Sequence, residues 1–131
     1  MESNLRSAPL SKPLLWVGWI LSVLPVLMVV VSAVMKFVKP PELIEGFAHL
    51  GLDLRLAVGL GVLELACTIL YLIPRTAVLG AILLTGYLGG AIATHLRVAD
   101  PFFPPILLGV LLWGGLYVRD TRLRALLPLR R

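Results

Sequence analysis

A single cysteine, Cys67, stands in the sequence, so no intrachain disulfide forms and no dithiol pair exchanges electrons within the chain. Cys67 is expected as a small packing residue. There are only two histidines, His49 and His95, and no zinc spacing, haem-attachment motif or other metal motif surrounds them. No nucleophile elbow occurs. The glycines of "GYLGG" follow no strand and precede no lysine, which excludes a phosphate loop. Internal repeats and low-complexity segments are also missing. Charge is scarce: 15% of residues are charged and 59% are apolar, where soluble domains run to about a quarter charged. That ratio argues against an ordinary soluble domain.

What is present is a set of long uncharged runs. Between Lys12 and Lys36 lie 23 residues without a charge. Between Arg55 and Arg75 lie 19, interrupted only by Glu64. Two more runs, of 21 and 18 residues, separate Arg75 from Arg97 and Asp100 from Arg119. A helix needs roughly 17–25 apolar residues to cross a bilayer. The runs lack the alternation of barrel strands. The expected fold is therefore an all-α integral membrane protein, a bundle of four transmembrane helices at about 14–37, 54–73, 77–95 and 102–118.

Residues 1–13 and 119–131 flank this single domain (14–118) as tails. Between the first two spans, "KPPELIEGFAHLGLDLR" carries a proline start signal, and Leu43, Phe47 and Leu50 fall at helical spacing. This predicts a short amphipathic helix on the membrane surface, ended by Gly51, that caps the bundle. Pro25 is expected to kink the first span. The first span is too long for the apolar core of a secretory signal and is read as uncleaved.

The net charge is +5, and five arginines fall in residues 119–131. No aromatic-interleaved basic surface accompanies them, so nucleic acid is not the expected partner; such a juxtamembrane cluster is expected to fix topology and to touch anionic lipid headgroups. Arg6, Lys12, Arg75 and those five arginines outnumber Lys36, Lys39, Arg55 and Arg97 by eight to four. The positive-inside rule places both termini in the cytoplasm.

Helical spacing sorts the polar residues into stripes. Ala57, Gly61, Glu64, Thr68 and Tyr71 share one face of the second span. Thr76, Gly80, Leu83, Tyr87, Ala91 and Thr94 share a face of the third, with His95 beside its end. Ser22, Pro25, Val29, Ser32 and Lys36 line the first, and Ile106, Gly109, Trp113 and Tyr117 the fourth. Small and polar residues face partner helices in membranes while bulky aliphatics face lipid, so these stripes should line the interior. At ~1.5 Å per residue Glu64 lies about 13 Å deep, near the midplane.

An acid at that depth has two readings. It is either interhelical glue, bonded to Tyr87, Thr85 or a freed carbonyl, or a proton-exchanging, ligand-binding or catalytic group. Glu64 and His95 are the acid–base candidates. Lys36, Thr68, Tyr87, Thr94, Trp113 and Tyr117 are the ligand-binding candidates, although Lys36 near the helix end is expected to snorkel toward headgroups. Gly61 and the Gly86-x-x-x-Gly90 pair are expected at helix packing contacts.

The stretch "GLGVLELACTILYLIPRTAVLGAILLTGYLGGAIATHLRV" resembles the central two-helix segment of the DoxX-like family of small bacterial membrane proteins. The resemblance extends over roughly residues 14–118, including the Lys-Phe end of the first span and the "KPPELIEGFAHLGL" connection. It implies a four-helix bundle in the bacterial cytoplasmic (inner) membrane. Family relatives are linked to membrane redox chemistry, as a subunit of a thiosulfate:quinone oxidoreductase and as part of an oxidative-stress complex. The matching positions are Lys36, Glu64, Pro74, Arg75, Gly90 and His95.

Two functions follow as expectations. The first is a polar intramembrane pocket that binds or acts on a small lipophilic molecule of quinone or isoprenoid type. The second is a non-enzymatic subunit or assembly factor, in which the glycine face of the third span meets a membrane partner protein or a second copy. Proton-coupled transport fits less well, because Pro25 is the single internal break where transporters usually carry broken helices or paired repeats.

Overall fold

The computed structural model describes residues 11–126, which form helices joined by short connections and, among the described residues, no strand. In chain order these are α1 (Lys12–Val38), α2 (Pro41–Leu50), α3 (Leu56–Leu72), a 3-10 turn (Pro74–Thr76), α4 (Ala77–Arg97), α5 (Phe103–Arg119) and α6 (Thr121–Leu126). The expected charges at Arg6, Arg130 and Arg131 lie outside the described residues.

The helix boundaries have local causes. Ser11 opens α1, its hydroxyl accepting from the Leu14 amide at 3.4 Å, and Pro13 follows in the first turn. α1 then runs as one helix through Pro25 and ends at Lys39, whose φ of 56° is left-handed. Pro41 opens α2, and Gly51 closes it at φ 73°, a conformation that favours glycine. The α3–α4 turn is held by Thr76, whose hydroxyl donates to the Leu70 carbonyl at 2.7 Å.

α1 packs against α3 and α5, and α4 packs against the same two helices, so the four long helices close into a ring. Two of them are long and apolar enough to cross a membrane: Lys12–Val38, with 27 residues, and the run Pro74–Arg97, with 24. α3 and α5 are apolar but shorter, at 17 residues each. The surface pattern is inverted relative to a soluble protein. Leu27, Val31, Ile69, Ile82 and Val110 are exposed, while Ser22, Lys36, Glu64 and Thr68 are buried.

The stripe predicted for α3 is the buried one: Ala57, Gly61, Glu64, Thr68 and Tyr71 all face inward. On α1, Ser22, Pro25, Val29 and Lys36 are buried as the spacing predicts. On α4 the face is shifted, since Leu84 and Leu88 are buried and Leu83 is 43% exposed. On α5 the buried residues are Pro105, Leu112, Gly115 and Leu116, and Ile106 points outward. The cause is a close approach elsewhere on the helix. A Cβ on Gly115 would lie 2.4 Å from Ser22 Oγ, and one on Gly18 would lie 2.9 Å from Arg119 Cβ. That α1–α5 contact sets the rotation of α5.

Glycine does the same for the α3–α4 hairpin. A Cβ on Gly80 would sit 2.2 Å from the Tyr71 nitrogen and 2.5 Å from its Cα, both backbone atoms that cannot step aside. By contrast, the expected packing role of Gly86 and Gly90 is not met within the chain. A Cβ at either would meet nothing within 4 Å. The segment after Arg119, expected as a plain tail, forms α6, whose start is held by Asp120 accepting from the amides of Arg122 and Leu123.

Gly80→Ala is expected to lower stability by about 1–3 kcal/mol, the usual range for overpacking. Gly59→Ala, on an open face of α3, is expected to be neutral or slightly stabilising. Thermal unfolding of the two variants in detergent, beside the parent, checks both.

Candidate functional site

Three side chains meet where α1 passes α3. Lys36 Nζ lies 2.5 Å from Glu64 Oε1, and both side chains are nearly sealed, at 10% and 2% exposure. Ser32, one turn before Lys36, accepts from Nζ at 2.7 Å and donates to Glu64 Oε1 at 3.3 Å. The ammonium's remaining contact, to the Ser32 carbonyl, is long at 3.5 Å. The approach depends on small residues. Ala33 is fully buried, and a Cβ on Gly61 would lie 3.2 Å from the Ala33 carbonyl and 3.3 Å from Lys36 Cβ. Gly61 precedes Glu64 by one helical step, so the thin patch and the acid share a face.

This corrects one expectation and, of the partners offered for Glu64, keeps Tyr87 over Thr85. Lys36 does not snorkel outward: its ammonium turns inward to the Glu64 carboxylate and the Ser32 hydroxyl. Glu64 does not bond Thr85, whose hydroxyl donates to the Ala81 carbonyl and accepts from Trp113 Nε1 at 2.6 Å.

The pair lies on the wall of a cavity of about 540 Å³ at the α2 end of the bundle. α1 contributes Met28, Val29, Ser32 and Lys36, and α3 contributes Leu56, Leu60 and Glu64. α4 supplies Gly86, Tyr87, Gly90, Ala91, Thr94 and His95, and the start of α5 supplies Pro104, Pro105 and Leu108. The two glycines thus leave space rather than fill it. Tyr87 carries its hydroxyl beside the Glu64 carboxylate.

His95 Nδ1 lies 2.7 Å from the Ala91 carbonyl. A carbonyl only accepts, so Nδ1 bears a proton and is engaged with the backbone of its own helix, leaving the Nε2 edge of the ring for other contacts. Thr94 donates its hydroxyl to the Gly90 carbonyl at 2.7 Å.

Phe47, Leu50 and Leu52 roof the cavity from α2 and its exit. Two contacts fasten this roof to the α4–α5 connection: His49 Nε2 is 2.8 Å from Asp100 Oδ1, and the Arg97 guanidinium donates to the Leu50 carbonyl. Beyond the roof, Arg55 bonds the Asp53 carboxylate and holds it below the ordinary carboxylate range.

Not every candidate residue gathers here. Thr68 lies one turn below Glu64 and donates to its carbonyl at 2.7 Å, away from the cavity wall. Trp113 and Tyr117 pack against the core and line no part of this cavity. Ser32 and Phe47 were missed as site residues. Both were legible in outline, Ser32 from its place one turn before Lys36 on the polar stripe and Phe47 from the apolar face of α2. Among the described residues no cluster of three or more metal-ligating side chains occurs.

A ring of long helices with an apolar outer surface, two of them long enough to cross a bilayer, has the character of a small membrane protein. The chain belongs to the DoxX-like family, whose model matches residues 20–115. Comparisons with curated proteins and with solved structures find no match.

Removing one member of a buried ion pair strands the other charge and costs about 3–5 kcal/mol, whereas replacing both with apolar groups is near neutral. Lys36→Met and Glu64→Leu are each expected to destabilise strongly, and the double variant to recover most of the loss. A thermal-unfolding double-mutant cycle reads this directly. Additive losses would mean that the two side chains do not depend on each other.

Proposed function

We propose that this protein holds a small lipophilic molecule in the cavity beneath α2, with the polar end of the ligand at Lys36, Ser32 and Glu64. In this reading all four long helices cross the bacterial inner membrane, with both termini cytoplasmic. The observation that carries the proposal is the pairing of an otherwise apolar cavity with one convergent polar cluster on its wall. Ligand sites commonly have that composition.

The cluster also suggests the ligand's chemistry. Two of the ammonium's three protons are committed to Glu64 and Ser32, and the third has only a long contact. A carbonyl oxygen suits that third proton. Tyr87 and Thr94 add hydroxyls, and His95 adds an imidazole for a second polar group or for proton exchange. A quinone, with carbonyl oxygens at both ends of a flat ring and a prenyl tail, meets these demands. Other isoprenoids with a terminal oxygen meet them in part.

The test is mass spectrometry of the small molecules retained by gently purified protein. The parent is expected to hold a quinone or prenyl lipid near one per chain, and Glu64→Gln to lose it. Gly86→Leu and Gly90→Leu serve as independent variants, since each points a side chain into open space while leaving the ion pair intact. Both are expected to empty the cavity without unfolding the bundle. Bulk phospholipid alone in every sample would sink the proposal.

A further inference from the structure

At the opposite end of the bundle, where α1 begins and α5 ends, a second cluster surrounds Arg119. Its guanidinium lies 4.3 Å from the Trp19 ring centroid and 5.0 Å from that of Tyr71. Nε donates to Ser22 Oγ at 3.0 Å, and Ser22 in turn donates to the Gly18 carbonyl at 2.9 Å. The side chain is therefore held by its Nε edge and by two rings. The terminal edge has no acceptor among the described residues, and Nη2 is buried without one.

Buried polar groups are nearly always satisfied, and a charged one left alone is expensive. Lys36, the buried cation of the other cluster, has its carboxylate. Arg119 is partly buried, and among the described residues no carboxylate pairs with it.

Arg119 borders a cavity of about 340 Å³. Arg122 and the hydroxyl-bearing Thr121 stand on the same wall, and Leu15, Pro74 and Leu116 make the apolar side. Asp120 also borders it; this carboxylate accepts from the Arg122 and Leu123 amides at 2.9 and 3.3 Å and lies 3.9 Å from Arg122 Nε, so it is occupied at the start of α6. Two arginines thus face the space against one occupied carboxylate.

We propose that this cavity binds a phosphoryl oxyanion, with the terminal edge of Arg119 as its anchor and Arg122 as a second cation. A planar fork whose terminal nitrogens have no acceptor among the described residues matches two oxygens of a tetrahedral anion. The aromatic flanks hold the fork in place before the ligand arrives. The apolar wall beside it suits a phosphate that carries a hydrocarbon portion, as a phospholipid does, while a soluble phosphate would use the arginines alone. This site shares no lining residue with the cavity beneath α2.

Full-length protein in neutral detergent would be titrated by calorimetry with short-chain phosphatidylglycerol, the matching diacylglycerol and inorganic phosphate. Phosphatidylglycerol is expected to bind at least about tenfold more tightly than diacylglycerol, the scale of one charge-assisted hydrogen bond. Arg119→Gln should abolish that preference, and Arg122→Gln, at a 70% exposed side chain, should weaken it severalfold. Inorganic phosphate binding as tightly as the lipid, with the same dependence on arginine, would support the site and assign it to a soluble anion. No preference for either phosphate over diacylglycerol would overturn the proposal. If Arg119→Gln fails to fold, Arg122→Gln decides, and unchanged affinity in that variant also overturns it.

Discussion

A carboxylate and an ammonium 2.5 Å apart, both almost sealed from solvent, lock α1 to α3. Either charge alone at that place would be intolerable in an apolar interior, so each makes the other admissible. The pairing dictates its surroundings. Helix backbones must approach closely for an upward-pointing lysine to meet a glutamate on the next helix, which is what Ala33 and Gly61 permit. It also fixes the register of α1 against α3, because sliding by one residue would rotate one partner off the shared face. Ser32 then fills the remaining hydrogen-bonding capacity between the two charges.

The rest of the ring is joined by the same means, polar atoms crossing between helices where small residues bring them near. Tyr71 on α3 donates to the Leu112 carbonyl of α5 at 2.5 Å and lies 3.2 Å from Ser22 Oγ of α1. Trp113 on α5 reaches Thr85 of α4. Most leucines and valines face outward, and those inside, such as Val29, Leu84, Leu112 and Leu116, pack beside the buried polar side chains. With apolar surroundings there is little hydrophobic gain in helix association, and close packing with hydrogen bonds has to provide specificity.

How much of this was legible follows from how much each helix differs from leucine. α3 carries glycine, glutamate, threonine and tyrosine at one helical spacing, and that face is the buried one. α2 was legible from its prolines, its three apolar residues and Gly51. α5 was misread because its inward face is made of Leu112 and Leu116, indistinguishable by type from the outward Leu107 and Val110. The decisive residue was Gly115, which looks like its neighbour Gly114 until α1 is placed beside it. Lys36 was read by its distance from a helix end, a one-helix argument that says nothing about a carboxylate on another helix. Arg119 was likewise counted as a topological charge, since nothing local reveals that Trp19, Ser22 and Tyr71 converge on it.

The two cavities also bear on which kind of function the bundle supports. Between Glu64 on α3 and Pro74 in the turn that follows it lie Thr68 and Tyr71; between Leu108 and Leu116 on α5 lies Leu112; between Leu88 and Ala77 on α4 lies Leu84. Thr68, Tyr71, Leu84 and Leu112 are all 2% exposed or less, and with the fully buried Ser22 they make up the layer between the two cavities. Its hydrogen bonds run among its members, to adjacent backbone and, through Ser22, to Arg119 at the second cavity; among the described residues none joins Thr68 to Tyr71 or Ser22. A conduit would need to break the Tyr71–Leu112 bond and repack the leucines together. A protein that captures one molecule at each end needs the layer as it stands, because a rigid centre holds both walls in shape.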